Sequence, residues 1–395
     1  MLVPASTMLA LELQYGAAPL KSILVKAGAT ASTAVDDSGA IALLRARDPA
    51  TLPARAAQPP QAGVDWHLAE IRAPAAWSLL GGPDNIAWGG VRVGHIDTGY
   101  TAHPALGFGT AQPWIDTGLA RTFFAANSPL DDPGPGQGQD PLAFSMDGHG
   151  TRTASTICGH APSAPGGAFY GVAPKVPLVP VRIANHVWIN HAQEEFAQAV
   201  GYLVGEAGVG VISLSMGIFL SGIRKNLRKA LNEAYDAGVI VVCAAGNVVQ
   251  DVVAPARLSR SLAIGGVARV NGNLVPWSGS SHGPEVDISG PAEGIRRADT
   301  KQGQPVYSGG GDGTSYATAA TAGAAALWLA RHAGSLDTQY PKRWQRIEAF
   351  KQVLRSSVSI PSPWHPGSFG TGVLDVHALL SAALPAPATT QDSPA

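Results

Sequence analysis

Four short apolar runs, each bounded by Gly or Pro, punctuate the middle of the chain: GVRVGHIDTG (90–99), VPLVPVRIA (176–184), GVGVISLSMG (208–217) and GVIVVCAAGN (238–247). They are rich in Val and Ile and apolar at consecutive rather than alternate positions, the pattern of strands buried on both faces. Between them the period changes to that of a helix. In HAQEEFAQAVGYLVGEAG (191–208), Phe196, Ala199, Val200, Leu203 and Val204 fall on one face, with Gly205 or Gly208 placed to end it. In IRKNLRKALNEAYDAG (223–238), Ile223, Leu227, Leu231 and Ala234 do the same, and Gly238 suits the left-handed position after the last turn. Strands alternating with helices predict an α/β fold: a three-layer sandwich whose mostly parallel central sheet is flanked by helices. Residues 1–50 are expected to be a small N-terminal segment whose LALELQYG and GAIALLRA around PLKSILVKAGA fit strand, helix and strand. A Pro- and Ala-rich linker over 51–63 separates this appendage from the main domain, 64–384, and residues 385–395 are expected to be a flexible tail.

In a parallel sheet the loops at the carboxyl ends of the strands carry the chemistry, so the polar terminations of these runs matter. They are Asp97, Ser215 to Gly217, and Asn247. Two glycine-rich turns accompany them. MDGHGTRTAS (146–155) places His149 between two glycines, and GGGDGTSYATAATAG (309–323) places Ser315 before a run of small residues. A Gly turn before a helix lets backbone approach a ligand and presents free N–H groups to negative charge. A Ser, a His and an Asp that meet in space are the arrangement for acyl transfer. Each has a plainer reading: Asp97 and Asn247 as turn residues after their strands, Ser315 as a helix N-cap.

The chain over about 64–384 resembles the subtilisin-like serine endopeptidases. The resemblance rests on VGHIDTG, DGHGTRTAS, FYGVAPKVPLVPVRI, VISLSMG, VVCAAGN and GTSYATAATAGAAAL in that order, closed by GTGVLDVHALL. It implies a subtilisin-like fold, with Asp97 as the orienting acid, His149 as the general base and Ser315 as the nucleophile of a peptide-bond hydrolase. Asn247 then matches the side-chain donor of the oxyanion hole. Ser213, Leu214, Ser215 and Gly217 match the segment that pairs with an extended protein or peptide substrate, and Ala244, Ala245 and Gly246 match the wall of the primary pocket. Several positions depart from the family pattern: Tyr316 and Ala319 after the nucleophile, and Arg152 and Ser155 after the histidine. His95 shares a strand face with Asp97 and either disturbs or assists it. Residues 1–50 stand where relatives carry an inhibitory propeptide and are expected to be a shortened version of one or an appendage.

Two other functions compete. GSSHG (279–283) fits the G-x-S-x-G pattern of an esterase with Ser281 as nucleophile, but Pro284 follows where a helix is required. A catalytically silent, peptide-binding relative is the other.

Composition narrows the picture further. Hydrophobic residues make up 45% of the 395 and charged residues 14%, enough for a sizeable core. With a net charge of −1 and no basic run longer than IRKNLRK, there is no electrostatic footprint for nucleic acid. Cys158 and Cys243 are too few for a disulfide framework and lie in apolar stretches. No run of roughly 18 apolar residues predicts a membrane span. The N-terminus is a poor secretory signal, so a cytoplasmic location is the expectation. The expected chemistry requires no cofactor and no catalytic metal. Asp131, Asp132 and Asp140 are candidates for a structural calcium site, although no spacing here matches a calcium loop.

Overall fold

In the computed structural model the described residues are 65–124, 136–142, 146–218, 222–247 and 249–395. The segment 1–50, the linker 51–63, and Asp131 and Asp132 lie outside them.

The strands are β1 (Val93–Asp97), β2 (Arg121–Thr122), β3 (His160–Ala161), β4 (Phe169–Tyr170), β5 (Leu178–Arg182), β6 (Val211–Leu214), β7 (Ile240–Ala244), β8 (Leu262–Val270), β9 (Asn273–Pro276), β10 (Ile288–Pro291), β11 (Ile295–Lys301), β12 (Gln304–Gly311), β13 (Val358–Ser359) and β14 (Val373–Leu374). The helices are α1 (Trp66–Glu70), α2 (Ala73–Ser78), α3 (His149–Cys158), α4 (Gln193–Gly205), α5 (Lys225–Asp236), α6 (Thr314–Gln339), α7 (Arg343–Ser356), α8 (Pro366–Phe369) and α9 (Val376–Ser381).

The sheet runs β13-β14-β10-β8-β7-β6-β1-β5-β2, with β9 beside β8. Its central pairs are all parallel; only β13–β14 and β8–β9 are antiparallel. Both faces are buried, as the consecutive apolar runs require. Along β7, Ile240 and Val242 join the core under α3 and α6, while Val241 and Cys243 join the core under α4 and α5. The predicted faces of α4 and α5 meet that second core through Phe196, Ala199, Val200 and Leu203, and through Leu227, Leu231 and Ala234. Gly238 takes the expected left-handed conformation, at φ +76°. Both cysteines are fully buried and free, and burial pushes both thiols up.

From β1 the chain crosses to β5 on one side and then returns to β6 on the other. That reversal opens a crevice at the carboxyl end of β1, where α/β sheets bind ligands. The small residues of α6 serve close packing on this sheet. A Cβ on Gly290 of β10 would lie 3.2 Å from the Cβ of Ala317, and one on Gly323 would lie 3.0 Å from Val172.

The C-terminal residues, expected to be a flexible tail, are tied to the domain. The Ser393 hydroxyl donates to Glu348 at 2.7 Å and its N–H to the Tyr235 hydroxyl at 3.0 Å, beside the buried Lys351. Pro385 accepts from Tyr340 at 2.7 Å. A polar cluster buried between α5 and α7 thus finds its partners in a segment whose composition looks like a linker.

Candidate active site

Alternation along β1 sends Val93, His95 and Asp97 toward α3, and Gly94 and Ile96 toward α4. Asp97, at the strand end, is fully buried. Its Oδ1 accepts from Thr98 N–H at 2.7 Å and faces His149 Nδ1 at 2.6 Å, while its Oδ2 accepts from the Thr153 hydroxyl at 3.2 Å.

His149 is the first residue of α3, whose N-cap is Gly148 at φ +68°. The helix can stand this close only because its second residue is glycine: a Cβ on Gly150 would lie 2.0 Å from the carbonyl oxygen of Gly99. Asp140 braces the approach. Its Oδ2 accepts from the Thr98 hydroxyl and from Gly148 N–H, both at 2.9 Å, and its Oδ1 accepts from Leu142 N–H. Protein donors therefore engage both oxygens of this calcium candidate. No group of three or more His, Cys, Asp or Glu suited to a metal occurs among the described residues.

Ser315 sits in the first turn of α6, and its Oγ lies 3.3 Å from His149 Nε2. It is not the helix cap: Gly313 holds that position with φ +148°, and no side chain caps the helix. The Asn247 Oδ1 accepts from Thr314 N–H at 2.8 Å and from the Thr314 hydroxyl at 2.7 Å. Because an N–H can only donate, the amide orientation is fixed, and Nδ2 stands beside Gly313, where a Cβ would lie 3.4 Å from it. Asp97, His149, Ser315 and Asn247 are thus brought together from β1, α3, α6 and the end of β7.

The charges fit a poised base. Burial opposes ionisation of Asp97, but His149, its hydrogen bond, His95 and the Thr98 N–H together hold the carboxyl below the usual carboxylate range. With Asp97 ionised, the proton of a neutral His149 belongs on Nδ1, and Nε2 offers its lone pair to Ser315.

The expected substrate segment needs correction. Ser213 pairs with His95 on one side and Val242 on the other, and Leu214 pairs with Ile96 and Cys243. Their backbones are inside the sheet and cannot accept another strand. The emerging stretch begins at Ser215, whose carbonyl lies 3.5 Å from Ser315 Oγ and whose hydroxyl donates to the Ser315 carbonyl at 3.1 Å. Gly217 is already engaged, donating to Val187 and accepting from Ile189. Ala245 points into the core under α4 and α5, Ala244 ends β7, and Gly246 stands against Thr314, at 3.3 Å.

Ser281 is fully buried, donates to the Val249 carbonyl, and precedes a turn rather than a helix. The strand–turn–helix elbow of an esterase is absent from this segment. Three departures from the family pattern form one contact set. Arg152 meets Asp299 of β11 at 3.2 Å, and Arg297 meets the same carboxylate at 3.3 Å and lies over the Tyr316 ring. Ser155 accepts from Ala298 N–H at 3.0 Å. Together they fasten the β11–β12 hairpin to α3 and to the turn after Ser315. Ala319 is buried within an uninterrupted α6.

Sequence reading missed Thr153, Thr314, Thr98 and Asp140 as supports of the site. Thr153 alone carried a signal, standing one helical turn after His149 on the same face.

A model of the subtilase family matches residues 89–370. Subtilisin BL of Lederbergia lenta is 27% identical over 316 residues, covering 80% of this chain and 98% of the relative. The major intracellular serine protease of Bacillus subtilis (strain 168) is 27% identical over 299 residues, covering 73% of this chain and 81% of the relative. Among solved structures, MycP1 with its N-terminal propeptide removed superposes with a TM-score of 0.60 at 24% identity, over 81% of this chain and 98% of that one. A protease from Pseudoalteromonas arctica PAMC 21717 superposes with a TM-score of 0.63 at 22% identity, over 80% and 96%.

Proposed function

Since the chain belongs to the subtilase family and is a subtilisin-like serine-type endopeptidase, we propose that it cleaves peptide bonds through an acyl-enzyme on Ser315, with Asp97 and His149 as its partners. The observation that supports this most is the bridging position of His149, 2.6 Å from Asp97 and 3.3 Å from the Ser315 hydroxyl. In this reading Ser315 Oγ attacks the scissile carbonyl while Nε2 takes its proton, and Asp97 stabilises the imidazolium without being protonated itself. The developing oxyanion is received by Asn247 Nδ2 and the Ser315 N–H, donors fixed before reaction begins. His149 then returns its proton to the leaving amine, and water repeats the sequence to release the acid. Every step uses groups of this chain and water, so the proposed chemistry requires no cofactor.

The substrate is an extended peptide approaching along the stretch that leaves the sheet at Ser215. Its location in the cell is not fixed by kinship: one relative is named a major intracellular serine protease and another an extracellular serine proteinase. The cytoplasmic expectation gains no support from them. No helix among the described residues is long and apolar enough to cross a membrane.

Treating the purified protein with a fluorophosphonate probe tests the assignment. An adduct located on Ser315 by mass spectrometry, absent from Ser315→Ala and retained in Ser281→Ala, is expected. A wild-type protein that neither labels nor cleaves peptides would overturn it in favour of a silent, peptide-binding relative.

A further inference from the structure

Behind the acid, on the side away from Ser315, stands a second buried histidine. His95 is two residues before Asp97 on β1 and 1% exposed. Its Nε2 lies 2.9 Å from Thr153 Oγ1 and 3.6 Å from Asp97 Oδ2. Thr153 has one hydroxyl proton and three acceptors in reach besides His95: Asp97 Oδ2 at 3.2 Å and the carbonyls of His149 at 3.0 Å and Gly150 at 3.3 Å.

The protonation pattern follows from these distances. A hydroxyl proton spent on His95 would leave an imidazole lone pair facing an ionised carboxylate, with Oδ2 deprived of its donor. With the proton on His95 Nε2 instead, that N–H donates to Thr153 and points its dipole toward Asp97. The Thr153 proton is then released toward Oδ2, whose charge makes it a stronger acceptor than the carbonyls. Burial, the largest influence, and the His149 charge outweigh the pull of Asp97 and lower His95 to about 4, so the ring is neutral wherever the triad works.

We propose that His95 is a positioning residue of the catalytic apparatus, acting through Thr153 to hold Asp97 Oδ2 and thereby fix the carboxylate plane that orients His149. The array becomes Ser315, His149, Asp97, Thr153, His95, running from the cleft into the core. This rests on the Ser315 reading for its kinetic consequences but not for its geometry.

Two effects follow from removing the donor chain. The carboxylate loses one of its restraints and turns from the Nδ1 axis, which lowers turnover. It also keeps more of its negative charge uncompensated, so His149 retains its proton to higher pH. The other ionisable groups facing the pair are Asp140, held to Thr98 and Gly148, and Arg182 of β5, in register with Asp97.

The experiment compares His95→Leu, Thr153→Val and His95→Gln with wild type, first for fluorophosphonate labelling and then for kcat, KM and the pH profile on a soluble peptide substrate. For His95→Leu and Thr153→Val the expected result is a fall in kcat of about tenfold, the value of one hydrogen bond to a charged group. KM should stay within about twofold, and the acid limb should move up by about half a pH unit. His95→Gln, which restores a neutral donor, should recover most of the loss. In a Ser315→Ala background, the ring signals of His149 followed by NMR should show the same upward movement without any catalysis. A wild type that fails to label removes the Ser315 reading, and the NMR titration still decides the role of His95. If His95→Leu leaves the NMR midpoint and acid limb unchanged, or if Leu and Gln variants lose activity equally, His95 is only a packing residue and the proposal fails.

Discussion

Two histidines buried in neutral form should make this protein acid-labile well above the carboxylate range. His67 of α1 is 2% exposed; burial first and the Arg296 charge second lower it to about 3. His95 is lowered to about 4. In the unfolded chain both take up a proton near pH 6.5, whereas the folded state refuses it until far lower. Their stabilising contribution is therefore complete above about pH 6.5 and is lost as pH falls, through the window down to 4 for His95 and 3 for His67. Each pH unit within the window costs about 1.4 kcal/mol per group, so by pH 5 the two together have removed about 4 kcal/mol. Against a total stability of ~5–15 kcal/mol this is a large fraction. His103, His160 and His332 are shifted down as well and add in the same direction. Asp65 and Asp140, which burial raises, act in the opposite sense: as pH falls the folded state takes up their protons before the unfolded chain does, above the usual carboxylate range.

The assay is urea unfolding at pH 7, 6 and 5, in the Ser315→Ala background so that unfolded chains are not digested by folded ones. His67→Leu and His95→Leu should each remove about 2 kcal/mol of the change between pH 7 and 5, and the double variant about 4 kcal/mol, leaving the slope that the other lowered histidines contribute. A wild-type stability that changes by less than about 1 kcal/mol between pH 7 and 5 would refute the reasoning, as would an undiminished slope in the double variant.

Two further outcomes bear on the site itself. Asn247→Leu should lower kcat on the order of 10²–10³ with little change in KM, a magnitude measured in a subtilisin and carried over rather than worked from these distances; a loss confined to KM would mean that the amide binds substrate instead. Gly150→Ala should lower stability by about 1–3 kcal/mol, since its methyl would overlap the Gly99 carbonyl and neither backbone has room to give. Denaturant midpoints read this, and a neutral result would show that α3 does not rest on that contact.

What the sequence disclosed, and what it withheld, divides along a physical line. Runs such as VISL and IVVCA declare a buried strand because both faces need apolar residues, and the Gly-flanked His149 and Ser315 declare a close approach of backbone. Which residue is the last one paired is not written locally. Ser213 and Leu214 look like substrate contacts along the chain because a strand end and a strand interior have the same composition; the partners that engage them, His95 and Val242 for Ser213 and Ile96 and Cys243 for Leu214, are contributed from elsewhere. The β11–β12 hairpin was invisible for another reason: IRRADTK and QPVYSGGG carry no alternation of apolar and polar residues, and the hairpin is fixed by Arg152, Ser155 and Tyr316 from other elements. Those three substitutions looked independent along the chain and prove to be one contact set. Asp140 looked like a free loop carboxylate because its donor Thr98 lies 42 positions away.

Ser315 does not cap α6; that position belongs to Gly313, two residues before it. A Ser, Asp or Asn at position 313 would strengthen the start of α6 by roughly 1 kcal/mol, because its side chain would accept from the N–H two or three residues on. The N–H two residues on is that of Ser315, the backbone donor that the proposed mechanism assigns to the oxyanion. A capped helix would fill with its own oxygen the place that the proposed mechanism gives to the oxyanion. Gly313 has no side-chain oxygen to offer, and its φ of +148° is a conformation that side chains other than hydrogen rarely adopt. The adjoining donor is prepared in the opposite way: the Asn247 oxygen is bound by Thr314, which leaves its N–H group beside Gly313. If the proposed mechanism holds, one donor is kept free by the lack of a cap and the other by an added restraint, and α6 forgoes the stability of a capped N-terminus in exchange for a site that is ready before substrate arrives.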